Sequence, residues 1–441
     1  IGNMAHIDSN RIELVRCGAV QALMDGMRYH VGDYAVNIEA CSALANLALA
    51  HPIRDAIISN DGVEAILRCF ERYFESDEFV AEAMRVLVCL AMNSEVAKET
   101  MSAEDVIQLV VAASSRHQES IMVQELCCKL LTSISVRNGI SDVIVQHGGL
   151  DVVVRALQSF SDERIHDAAC YLYRNLACQL QNPEGLVKQG AVRHAINAMS
   201  SHEGCASIQT NACCALWNIA FKTKKDPGTV VGSSGIQAIV KAMQTHLEYS
   251  DLLEVACGAL WYVVDGSIDV KKDVIGSGAI DAVICALVMH PTTEPTLIKA
   301  SGVFSNITAE APLAEAFANA QGVSVVCDAM CNNAAAIAFL EVCCLTLRNI
   351  IFHFPEYADE AAVTIPTIIE AMRDNMSATA YLKEACKFLW VLAAESESCR
   401  SKILELDGIA IMMQCIDQNG HDNKLQEAAR GAFNQVTVDG T

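Results

Sequence analysis

At 441 residues the chain exceeds the roughly 250–300 at which a single compact core stops growing, so it is either several globular domains or one repeat array. Hydrophobic residues make up 52% and aromatics only 5%, a balance of Ala, Leu, Val and Ile that suits helix packed on helix. A net charge of −22 repels a phosphate backbone and excludes nucleic acid as a main ligand, and no apolar run reaches the roughly 18–20 positions of a membrane span.

The opening Ile1-Gly2-Asn3-Met4-Ala5 lacks the basic-then-apolar build of a secretion signal. Twenty cysteines in a chain long enough to build its own core read as reduced thiols, which places the protein in the cytoplasm. Asn3-Met4-Ala5 lies 43 residues before Asn46-Leu47-Ala48, so residues 1–7 read as the tail of a preceding repeat. The Asn series then continues at Asn175, Asn218, Asn306 and Asn349, with weaker copies at Cys89, Ser133, Tyr262, Val391 and Gln435, all 42 to 44 residues apart. With the Asn as position 0, apolar residues recur at −6, −5, −3, −2, +1 and +2, as in Ala212, Cys213, Ala215, Leu216, Ile219 and Ala220. That spacing is the broad buried stripe of a long helix.

A second landmark repeats independently. The apolar residue opening a middle helix falls at Val20, Val63, Val106, Leu150, Val192, Ile236, Ile280, Val323, Ile365 and Ile409. In eight of the ten copies a glycine stands one or two residues earlier (Gly18, Gly62, Gly149, Gly190, Gly235, Gly278, Gly322, Gly408), where a tight corner favours a residue with unrestricted φ. Prolines at 52, 183, 227, 312 and 355 mark the start of a short first helix. The chain therefore divides into ten three-helix units at roughly 8–50, 51–93, 94–137, 138–179, 180–222, 223–266, 267–310, 311–353, 354–395 and 396–441.

Gly-Ile-Gln-Ala-Ile-Val (235–240) and Ala-Leu-Trp-Asn-Ile-Ala (215–220), in a unit of about 42 residues, resemble the armadillo repeat, and the resemblance covers essentially the whole chain. It implies an all-α, right-handed superhelical α-solenoid. It also implies that the third helices line a concave groove where the Asn bonds the backbone of an extended peptide, which carries to Asn46, Asn175, Asn218, Asn306 and Asn349. An amide offers both a donor and an acceptor for that task. One position earlier stand Arg174, Trp217, Trp261, Arg348 and Trp390, large residues of the kind enriched at binding hot spots, and every tryptophan of the chain is among them. Nuclear-import receptors of this fold carry Trp four residues before the Asn; Ser42, Tyr171, Cys214, Gly302 and Leu345 stand there instead, which disfavours that function.

Catalytic, cofactor and metal sites are not expected. Seven cysteines (41, 128, 170, 213, 257, 344, 386) share the −5 slot, where a small apolar residue fits between helices, and no CxxC pair exists. His30, His202, His246 and His290 recur at one repeat position near a helix C-terminus, where they would cap carbonyls. Gly276-Ser277-Gly278 lacks the third glycine and preceding strand of a dinucleotide fingerprint. The reading is a non-catalytic scaffold that holds partner polypeptides or an extended peptide in its groove; the alternative is the regulatory armadillo segment of a larger kinase or ubiquitin ligase.

Overall fold

The computed structural model describes residues 1–5, 7–92, 94–223 and 227–437, and their regular secondary structure is all helical. The last four residues of the tenth expected unit lie outside them. Two compact units divide the chain, Ile1–His202 and Glu203–Thr441. The boundary falls inside the fifth 42-residue period, between the helices Ala191–Ser201 and Ala206–Lys222.

In the first unit helices come in threes. Asp8–Arg16, Ala19–Tyr29 and Tyr34–Leu47 are followed by His51–Ile58, Gly62–Arg72 and Asp77–Ala91, and the same order repeats to the third helices Ile121–Ile134 and Glu163–Gln179. The short helix Gly2–Ala5 packs against Tyr34–Leu47. In the second unit the third helices are Ala206–Lys222, Ser250–Val264, Glu294–Ile307, Ile337–His353, Thr379–Glu395 and Asn423–Thr437. Within each unit every third helix packs on the next, forming one continuous layer.

The six-slot stripe explains that layer. In Ala206–Lys222 the side chains of Ala212, Cys213, Ala215, Leu216, Ile219 and Ala220 are all buried, as are their counterparts Ala40 to Ala48 and Ala385 to Ala393. Each buried Leu or Ile contributes about 1.5–3 kcal/mol, and the small Ala and Cys between them let neighbouring helices approach. All seven cysteines of the −5 slot are buried. Burial pushes the thiols of Cys41, Cys128, Cys257 and Cys344 up, to about 12 for Cys128 and Cys257, which makes them packing residues and poor nucleophiles. Helix starts are fixed locally: Asp33, Ser76, Ser94, Asp162 and Ser396 accept a backbone N–H of the first turn, and Pro52 and Pro312 occupy first-turn positions.

The corners between first and second helices correct the reading of four glycines; at Gly149 the left-handed residue is Gly148, with φ of 84°. At Gly62, Gly322 and Gly408 the left-handed residue is the preceding one, Asp61, Gln321 or Asp407, with φ of 56°, 61° and 58°. The glycine follows because space is short: a Cβ on Gly62 would sit 2.5 Å from the Ile57 carbonyl oxygen, and one on Gly322 would sit 2.3 Å from the Phe317 ring. Gly235 likewise is helical, and the break in Pro227–Thr245 lies at Gly232.

A polar ladder joins the far ends of the second helices. His117, His246 and His290 donate from Nε2 to the carbonyls of Phe74, Glu203 and Leu247, each 43 residues earlier, at 2.7, 2.7 and 2.8 Å. Tyr73 Oη, Asn333 and Asn419 do the same to Val31, Pro291 and Met376. Of the histidines expected to cap carbonyls, His246 and His290 do so, and the carbonyls belong to the neighbouring repeat. His202 instead meets His166, ring nitrogen to ring nitrogen, at 3.0 Å.

Candidate polypeptide-binding face

The third-helix layer carries both the Asn series and the large −1 residues, but the two units fill it differently. In the first unit Asn46 is only 3% exposed; its Nδ2 reaches Gly2 O and its Oδ1 accepts from Arg85 at 3.1 Å. Arg85 also pairs with Glu82 at 2.6 Å. Glu125, a carboxylate 5% exposed, is held by Lys129 at 2.5 Å and Arg164 at 3.1 Å. Asn175 Nδ2 donates to Ser135 Oγ at 2.9 Å, and the guanidinium of Arg174 lies 5.6 Å from the Tyr171 ring centroid. The face of this unit is laced with its own ion pairs and amide bonds.

In the second unit the Asn side chains also begin by tying neighbouring helices. Asn306 Nδ2 donates to Trp261 O at 3.1 Å and Asn349 Nδ2 to Ser305 O at 3.3 Å, while Asn218 Nδ2 meets Cys214 Sγ of its own helix at 3.6 Å. Each is half-buried, and one amide hydrogen and the Oδ1 of Asn306 and Asn349 take no partner among the described residues. One donor and one acceptor therefore remain, the pair that a peptide unit requires.

The tryptophans show a regularity that the sequence reading missed. Trp217 lies over Gly258, Trp261 over Gly302 and Trp390 over Gly431: a Cβ on these glycines would come within 3.0, 2.4 and 2.3 Å of the indole ring. Each ring from a −1 slot rests on the −4 slot of the next third helix, 41 residues on. The available signal was a glycine in the middle of an otherwise good helix, which costs about 1 kcal/mol against Ala unless packing requires it. The rings stay half-exposed, Trp390 at 37%.

Around the first two rings an aromatic surface forms. Trp261 lies 5.9 Å from Tyr262, and Tyr262 lies 4.9 Å from Phe221, itself 56% exposed. The ammonium of Lys299 stands between the indoles, 4.8 Å from the Trp217 centroid and 5.3 Å from that of Trp261. Toward the C-terminal end the face closes again. Arg348 pairs with Glu384 at 2.5 Å, and Lys387 and Lys383 crowd the same carboxylate. Burial would raise the Glu384 pKa, but these three cations outweigh it and hold the carboxyl below its usual range. Of the expected residues, the fold thus brings Trp217, Asn218 and Trp261 into one open surface, holds Arg348 in an ion pair and encloses Asn46.

Stacked three-helix units with this stripe, corner and Asn series define an armadillo-repeat solenoid, and sequence comparison agrees. The LRRK2 ARM repeat model matches residues 18–171, and the armadillo/β-catenin-like repeat model matches residues 181–221. Armadillo-type repeats are thus matched over residues 18–171 and 181–221, and the described residues fold as an armadillo-repeat α-solenoid. Armadillo repeat-containing protein 6 of Pongo abelii is 24% identical over 182 residues, 37% of this chain and 36% of that protein, so the match spans about a third of the relative's length. Among solved structures, an engineered protein superposes with a TM-score of 0.78 at 20% identity, covering 95% of this chain and 98% of its own. A chain from a study of the phosphorylation switch controlling the interaction between cadherin and β-catenin gives 0.80 at 16% identity, covering 99% of this chain and 86% of that one. At these identities the structural likeness speaks for the fold.

Proposed function

We propose that this chain is a non-catalytic scaffold which binds partner polypeptides on the third-helix face of its second unit, around Trp217, Asn218 and Trp261. One observation carries the reading: two large rings are held half-exposed by glycine seats, and Asn306, which donates to Trp261 O, keeps a donor and an acceptor to spare, as does Asn349 on the next third helix. A fold that buried these rings for stability alone would cover them. The armadillo fold supports polypeptide binding as its general use, and the β-catenin structure with the same fold was studied for its interaction with cadherin. A nuclear-import groove is a poor match, since the −4 slots at Gly258 and Gly302 are roofed by tryptophans from the preceding repeat.

The test is selection from a randomised dodecapeptide library on the immobilised protein, followed by Kd measurement for the enriched peptides. Trp217→Ala with Asn218→Ala should weaken them at least tenfold, in keeping with the weight of buried Trp anchors at interfaces. Unchanged affinity in a double variant of native helicity would move the site off this face.

A further inference from the structure

We propose that the Trp217–Lys299–Trp261 cluster is a subsite for an acidic side chain, so that the second unit selects extended peptides bearing Asp or Glu; this rests on the groove reading above. Lys299 belongs to Glu294–Ile307 and is half-buried, and its ammonium faces two indole rings 4.8 and 5.3 Å away. Aromatic faces attract a cation but accept no strong hydrogen bond, so its three N–H donors remain to be satisfied. Among the described residues Lys299 has neither an ion pair nor a hydrogen bond, whereas Arg85, Lys129, Arg348 and Lys387 on equivalent faces each hold a carboxylate. Glu254, on the helix that carries Trp261, forms no pair with it.

The indole N–H groups of Trp217 and Trp261 likewise meet no acceptor among the described residues. The cluster is thus rich in donors, positively charged and walled by apolar rings. A carboxylate matches all three features: it accepts two or more hydrogen bonds, neutralises the ammonium, and its methylene stem packs on the indoles. A basic side chain would meet Lys299 as a like charge, and Lys299 is fixed on its helix. The overall charge of −22 does not oppose this at physiological salt, because charges more than about 8 Å away are largely screened.

The test uses the dodecapeptide selection at about 0.15 M salt on the wild-type chain and on Lys299→Glu and Lys299→Arg variants. Peptides that depend on Trp217 should be enriched in Asp and Glu. Their affinity should fall at least tenfold in Lys299→Glu, return to within about threefold of wild type in Lys299→Arg, and the selection on Lys299→Glu should turn toward Lys and Arg. Circular dichroism confirms that each variant is folded. Peptides that need Trp217 but show no acidic enrichment, or bind Lys299→Glu unchanged, overturn the acidic subsite and leave the groove standing. Peptides indifferent to both Trp217 and Lys299 remove the groove reading as well.

Discussion

The tryptophan seats of the second unit and the matching slots of the first solve one packing problem with opposite volumes. In the first unit, the −1 slots Ala45, Val88 and Thr132 are small and the −4 slots that follow are large, Arg85, Lys129 and Tyr171, with Arg174 the one large −1 residue. In the second, Trp217, Trp261 and Trp390 are large and Gly258, Gly302 and Gly431 give way beneath them. The polar version ties its long side chains into ion pairs with Glu82 and Glu125. The aromatic version leaves ring faces and an unpaired ammonium on the surface. What separates a closed face from an open one is therefore which of two facing slots holds the large side chain.

The sharpest way to break this comparison is to fill a seat. Gly302→Ala places a Cβ 2.4 Å from the Trp261 ring, and overpacking of that kind costs about 1–3 kcal/mol, of which about 1 is returned by helix propensity. A net loss of up to about 2 kcal/mol in chemical denaturation is expected, with a red shift of tryptophan emission as the ring lifts. At the corresponding slot of the first unit, Arg85→Ala removes a partly exposed pair and should cost about 1 kcal/mol or less. Equal losses at the two positions would mean that the slots do not differ in the way described.

Much of the fold was legible in sequence because the stripe at −6 to +2 and the middle-helix landmark repeat within single helices, where the 3.6-residue period governs. The corner was legible in place but not in cause, since the left-handed residue at Asp61, Gln321 and Asp407 is not a glycine. The candidate site was legible in part. Trp217, Trp261 and Asn218 stood out as repeated residues, yet Gly302 was noted only as a place where Trp was missing. Its role as the seat of Trp261 depends on two helices coming together across 41 residues, which no pattern along one helix reveals. The direction of the Asn amides was hidden for the same reason: the carbonyls of Trp261 and Ser305 become their acceptors only when third helices stack.

A smaller effect separates the units by pH. Burial lowers the pKa of His166 from its ordinary 6.5, with His202 adding to the shift, and burial with Arg193 lowers that of His194. A histidine whose folded pKa is depressed favours the folded state fully above 6.5, and that contribution is lost as pH falls toward the folded value. Stability should therefore decline as pH falls below 6.5, and His166→Gln with His194→Gln should flatten that decline in denaturation series. Smaller still, His290→Ala removes the bond to Leu247 O and should cost about 0.5–1.5 kcal/mol by thermal denaturation.

The central claim is that partner polypeptides contact the glycine-seated tryptophans of the second unit. All three tryptophans of the chain occupy this one slot, so their emission reports on it directly. A Trp390→Phe protein, in which Trp217 and Trp261 alone emit, is titrated with a selected, labelled dodecapeptide while peptide anisotropy and tryptophan emission are followed together. The account predicts a saturable change in emission with the same midpoint as the anisotropy. Binding by anisotropy with no change in emission would contradict it.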